Sequence, residues 1–183
     1  MTGKIYLIAE SDEDVEIAAA IIHVAHPSIR VVRATQKHTG GLSDMLKFLE
    51  RSIQQAQTDA DRRKDCVAVL RDEDLLTQSR RDLYQQVDEI CRRYSVKRVI
   101  AVQHIEAWLL GNEGFCEWLG IKAQNSDGDN AKERLERFVR QVKKQEFSAR
   151  IRTESLKHLN KINYSPSLLE ALAVLDGAPC ARP

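Results

Sequence analysis

Four short runs rich in Ile and Val, separated by longer segments of helical periodicity, predict an α/β protein. The expected architecture is a mostly parallel four-stranded sheet flanked by helices, with a helical C-terminal extension. The runs are near-continuously apolar rather than alternating, as strands covered on both faces are. After residue 103 the pattern turns wholly helical.

The first run, 4–9 (KIYLIA), opens the sheet. A helix is expected over 12–25 (DEDVEIAAAIIHVA), with Ser11 as N-cap and Asp14 at its third position. The second run is 29–34 (IRVVRA), and in the helix predicted over 42–57 the residues Leu42, Met45, Leu46, Leu49 and Ile53 share one face. A polar connector over 56–65 leads to the third run, 66–71 (CVAVLR). A helix over 77–94 leads to the fourth, 97–103 (KRVIAVQ). Each strand–helix–strand unit implies a right-handed crossover and parallel pairing. Short helices are expected over 105–110 and 114–119, then a polar loop with the turn signal Asp127-Gly128, then helices near 130–146, 151–161 and 166–175. The expected organisation is one domain, with a core of about 4–111, an extension of 112–176 and a frayed tail of 177–183.

A chain of 183 residues, 43% hydrophobic and 30% charged, reads as soluble and globular. No apolar run approaches the roughly 20 residues needed to span a bilayer, and the apolar stretch near the start is too short for a signal-peptide core. A cytoplasmic protein without membrane contact is expected. Cys66, Cys91, Cys116 and Cys180 form no C-x-x-C pair, which argues against a zinc ribbon or a disulfide framework; Cys66 and Cys91 read as buried thiols. The five histidines show no H-E-x-x-H spacing.

Charge sums to +1 but is unevenly spread. Residues 10–16 (ESDEDVE) hold five carboxylates, and 131–161 hold ten Lys/Arg against four Glu. An acidic focus and a basic stretch suit a protein that holds metal ions and meets a polyanion. Solvated helix faces would look the same.

In a parallel sheet, ligands bind beyond the carboxyl ends of the strands. Past the first run stands Glu10, with Asp12, Glu13 and Asp14 behind it; past the third, Asp72-Glu73-Asp74; past the fourth, His104 and Glu106. Carboxylates gathered on one edge repel one another, and a divalent cation with hard oxygen ligands, Mg²⁺ or Mn²⁺, neutralises them economically. Extended backbone turns Asp72 and Asp74 to the same side. Their structural alternative is to cap the helix over 77–94, and for Glu13 and Glu16 it is an acidic first helical turn. Glu10 ends an apolar strand with no capping duty. Past the second run, Lys37, His38, Gly40 and Gly41 would set a cation and open backbone N–H groups against a phosphate of the substrate, or simply form a turn before the next helix. Glu106 opens a segment in which Trp108 and Leu109 belong to the core.

A strand ending in Glu10, then one ending in Asp72-x-Asp74, resembles the TOPRIM domain of topoisomerases, primases and old-family nucleases. More specifically, the stretches IYLIAESDED, CVAVLRDED and AVQHIEAWLLGNEG resemble small TOPRIM-like proteins encoded beside AAA/ABC-type ATPases in bacterial defence loci, with weaker echoes in NAKERLERF and SPSLLEALAVL. The resemblance spans about residues 4–175. It implies a TOPRIM-like (Rossmann-like) fold and an Mg²⁺- or Mn²⁺-dependent nuclease acting on DNA or RNA. It further implies an antiviral effector partnered by an ATPase, with self-association left open. Glu10 would match the family glutamate, a metal ligand and general acid/base. Asp72 and Asp74 would match the metal-binding, catalytic aspartates, and Asp14 and Glu106 the remaining acidic positions. Ser11 stands where the family has Gly, and Leu75 follows the second aspartate where Gly is common, so a non-catalytic regulatory or scaffold subunit is the alternative. A haloacid-dehalogenase-like phosphatase would carry its Asp-x-Asp on the first strand, and a receiver domain would need a Lys after a fifth strand.

Overall fold

The computed structural model describes residues 3–34, 41–73, 78–125, 127, 130–176 and 180. Strands β1 (Lys4–Ile8), β2 (Arg30–Arg33), β3 (Cys66–Glu73) and β4 (Lys97–Val102) pair in parallel throughout, in the order β2-β1-β3-β4. Helices α1 (Asp12–Ala25), α2 (Leu42–Asp59) and α3 (Gln78–Arg93) connect them. Beyond β4 come α4 (Glu106–Gly111), α5 (Glu113–Leu119), α6 (Ala131–Lys143), α7 (Ala149–Ser155), a 3-10 turn over Leu156–His158, and α8 (Pro166–Asp176). The predicted α/β class therefore holds: a Rossmann-like, all-parallel sheet with a helical C-terminal extension.

Local chemistry accounts for the start of α1. The Ser11 hydroxyl accepts from the Asp14 N–H at 3.2 Å, and the Asp14 carboxylate accepts from the Ser11 N–H at 2.9 Å, closing a capping box. The chain crosses from β1 to β2 in one direction and from β2 over β1 to β3 in the other. Crossovers of one hand therefore put α1 on one face and α2 and α3 on the opposite face. Strand alternation follows suit. Ile5, Leu7, Ala68, Leu70, Val99 and Ala101 pack towards α1 and the C-terminal helices, while Tyr6, Ile8, Val67 and Val69 pack towards α2 and α3.

The extension is joined to the core by buried side chains. Trp108 of α4 is fully buried and donates its Nε1–H to Ser167 Oγ of α8 at 2.9 Å. Burial of Trp108 and Phe115 stabilises the fold by about 3 kcal/mol each. Arg152 of α7, also buried, donates to Glu16 at 2.8 Å and to Glu13 at 2.7 Å, pinning α7 to α1. Glu13 lies in the acidic first turn of α1 as expected, but Glu16 lies beyond it, and both pair with Arg152.

Three expectations are corrected. Cys66 is no free thiol: it forms a disulfide with Cys180, with Cα atoms 5.7 Å apart, whereas Cys91 and Cys116 are free and buried. Cysteine spacing reports only local motifs, and this pair is separated by 114 residues. The tail is not frayed at Cys180, which is buried against Gly3; a Cβ on Gly3 would collide with the Cys180 backbone and come within 2.6 Å of the Lys64 carbonyl oxygen. Finally, β3 runs beyond its apolar stretch, because Asp72 and Glu73 pair with Ala101 and Val102 of β4. No helix of the described residues is long and apolar enough to cross a membrane.

Candidate metal centre

Parallel pairing brings every strand's carboxyl end to one edge, and the chain reverses its direction of travel across the sheet between β1 and β3. Such a switch point opens a crevice that suits a ligand. Glu10 lies just past β1, Asp72 is the penultimate residue of β3, and His104 and Glu106 follow β4.

Asp72 Oδ1 accepts from the Ile105 backbone N–H at 3.0 Å, and Asp72 Oδ2 lies 3.0 Å from His104 Nδ1. One ligating atom from each of Asp72, His104 and Glu106 falls within 4.8 Å of the others, a spacing that accommodates a metal ion. Glu106 is 9% exposed; its own backbone N–H supports its carboxylate, and no side-chain donor among the described residues bonds it. Gln103 takes a left-handed conformation (φ 62°) and donates its N–H to the Glu73 carbonyl at 3.0 Å, turning the chain so that His104 comes beside Asp72.

The electrostatics centre on Asp72. Burial, and then the Asp72 charge, push Glu10 up to about 7, against the Asp72 backbone N–H and the charges of Arg80 and Arg71. Burial and Asp72 likewise push Asp14 up to about 7, with Glu106 and Glu10 adding to the rise and the Ser11 hydroxyl opposing it. Glu106 is raised by burial and by Asp72, against its own backbone N–H and the positive charges of Lys132 and His104. The bond to Asp72 raises His104, over the opposing effect of burial. Mutual repulsion and burial thus oppose full ionisation of these acids, and Arg71, Arg80 and Lys132 offset it only in part.

Four of the predicted ligands, Glu10, Asp14, Asp72 and Glu106, thus act on one another at this edge. Among the described residues the tight group differs from the predicted one: it is Asp72, His104 and Glu106, without Glu10 or Asp14. Asp74, Lys37, His38 and Gly40 lie outside the described residues. Gly41 is the N-cap of α2, at φ 107°, where glycine is favoured, and its carbonyl accepts from the Asp44 and Met45 N–H groups at 3.1 and 3.0 Å. Asp72 does not cap α3, as its structural alternative supposed, because it sits inside β3 and holds the entry to α4 instead. Sequence reasoning noted His104 but assigned it no ligand role. The signal was its place directly past β4, two residues before Glu106.

No protein-family model matches the chain, and neither a curated protein nor a solved structure gives a significant match, so the chemistry of this edge rests on its own geometry.

Proposed function

We propose that this protein is a metal-dependent phosphodiesterase that hydrolyses DNA or RNA, as its resemblance to TOPRIM-like nucleases implies. The observation that carries this reading is the Asp72–His104–Glu106 group at the switch point of the sheet. The donors suit a divalent cation, since Glu106 is a buried carboxylate with no side-chain donor of its own among the described residues. These three residues would hold Mg²⁺ or Mn²⁺, with Glu10 and Asp14 alongside. When bound, such an ion supplies a nucleophilic water at neutral pH and offsets charge developing at phosphorus. Glu10, raised to about 7, exchanges a proton near neutral pH, as a general acid or base must. Lys132 acts on both Glu106 and His104, and the exposed Arg137, Arg140 and Lys144 continue the positive charge along α6 and just past its end, where backbone phosphates would bind without base readout. An AAA/ABC-type ATPase partner and a role in antiviral defence rest on the resemblance alone.

The test is nicking of supercoiled plasmid and cleavage of bulk tRNA with Mg²⁺ or Mn²⁺, for the wild type and for Asp72→Ala. Metal-dependent cutting lost in Asp72→Ala supports the reading, and equal cutting by both proteins sinks it. One observation favours the alternative, a non-catalytic subunit that binds an ATPase: both oxygens of Asp72 already have hydrogen-bond partners within the chain. Metal binding without cutting of either nucleic acid would support that alternative.

A further inference from the structure

Imidazole among carboxylates changes which cation a site prefers. Mg²⁺ takes oxygen ligands and keeps much of its water, whereas an imidazole nitrogen suits Fe²⁺, Ni²⁺, Cu²⁺ and Zn²⁺, with Mn²⁺ the first-row ion nearest to Mg²⁺ in its preference for oxygen. We propose that the ion at this edge is a first-row transition metal ligated through nitrogen by His104 and through oxygen by Glu106, with Asp72 fixing the His104 ring. This inference rests on the metal-binding part of the proposed function and is independent of cutting.

Three features support it. His104 Nδ1 lies 3.0 Å from Asp72 Oδ2, and a carboxylate in that position places the ring proton on Nδ1 and leaves the Nε2 lone pair to a metal. Asp72 is itself anchored, because its other oxygen accepts from the Ile105 N–H at 3.0 Å, so the ring is held from a fixed point on β3. Glu106 is nine-tenths buried, has no side-chain donor among the described residues, and brings a carboxylate oxygen within 4.8 Å of a ring nitrogen of His104 and an oxygen of Asp72. Its own backbone N–H and the charges of Lys132 and His104 support this buried carboxylate, and a bound cation would stabilise it further. Asp72 thereby changes from principal ligand to positioning residue. Glu10 and Asp14, outside the tight group, act on it through their charge.

The experiment is pulsed electron paramagnetic resonance on the intact protein loaded with Mn²⁺ alone, beside calorimetric titration of Mn²⁺ and Mg²⁺. The wild type is expected to show ¹⁴N modulation from a coordinated imidazole, and His104→Gln is expected to lose it. His104→Asp, which offers only oxygen, is expected to narrow the Mn²⁺-over-Mg²⁺ preference by about tenfold or more. If His104→Gln fails to fold, wild-type protein labelled with ¹⁵N-histidine decides the matter, because the modulation must move to the ¹⁵N frequencies. Mn²⁺ binding without nitrogen modulation, modulation that survives in a folded His104→Gln, or no Mn²⁺ binding at all overturns the inference. Nitrogen coordination without nucleic-acid cleavage leaves it standing while the nuclease reading fails. Cleavage without nitrogen coordination does the reverse.

Discussion

His104 Nδ1 sits 3.0 Å from Asp72 Oδ2, joining residues 32 apart in sequence across the shared edge of β3 and β4. Around that pair Glu10, Asp14 and Glu106 are displaced upward in pKa, and Asp72 contributes to each displacement. Asp72, His104 and Glu106 together form a cluster whose spacing could hold a metal ion.

Asp72 has two duties that substitutions separate. Asp72→Asn keeps an acceptor for the Ile105 N–H but removes the charge that orients His104. Mn²⁺ affinity should fall by about 10–100-fold with little change in melting temperature. Asp72→Ala also orphans the Ile105 N–H and should cost about 1–3 kcal/mol of stability as well. Calorimetric titration and urea unfolding report the two effects.

Stability of the metal-free protein should fall as pH rises. Glu10 and Asp14 titrate near 7 in the fold, against ordinary values of 4.5 and 3.8, so the folded state binds the extra protons in that interval. Stability is then lost between about pH 4 and about pH 7 and levels off above. His104, raised by Asp72, contributes in the same direction, because its favourable charged form disappears as pH climbs through its folded value. Urea unfolding in chelator from about pH 5 to about pH 8 should show the decline, and Glu10→Gln should flatten it. Added Mn²⁺ should oppose it, since ligands bind metal better once deprotonated. A rise in stability with pH in chelator would contradict this account of the edge.

The Cys66–Cys180 bridge closes a long loop, and its reduction should destabilise the protein by about 2–4 kcal/mol. Thiol labelling of the unfolded, unreduced chain should reach Cys91 and Cys116 alone, and all four cysteines after reduction. Gly3→Ala should destabilise too, since its Cβ has no room beside Cys180 and Lys64. Disulfides of this kind persist mainly in oxidising surroundings, so the labelling state of freshly lysed cells also tests the expectation of a cytoplasmic location.

Arg152→Ala should cost about 2 kcal/mol, a figure kept modest because Glu13 and Glu16 stay partly exposed to water. Arg152→Lys should recover less than half of the loss, because one ammonium does not reproduce two directed guanidinium bonds to separate carboxylates. Chemical unfolding of the two variants separates packing from charge.

Short-range chemistry made most elements legible. The apolar period over 12–25 matches α1 residue for residue, and the Ser11–Asp14 capping box is written in four consecutive positions. The apolar run after Lys4 announced β1, and Glu10 at its end announced an edge rich in carboxylates. Propensity, capping and hydrophobic period act over a few residues, so one strand or helix at a time carries them.

The tertiary structure decided what spans the chain. Pairing with β4 lengthened β3 until Asp72 lay within it, because a neighbour's free N–H and C=O groups extend a strand past its last apolar residue. The fold also committed Arg152 of the basic stretch to α1, 139 residues away from Glu13, and brought Cys180 to the start of β3. Among several acids on one edge, it gathered Asp72 and Glu106 with His104, one ligating atom of each within 4.8 Å of the others. Residue identity alone placed charges on that edge. Which of them share a cation depends on distances of a few ångströms, and those exist only once the sheet is assembled.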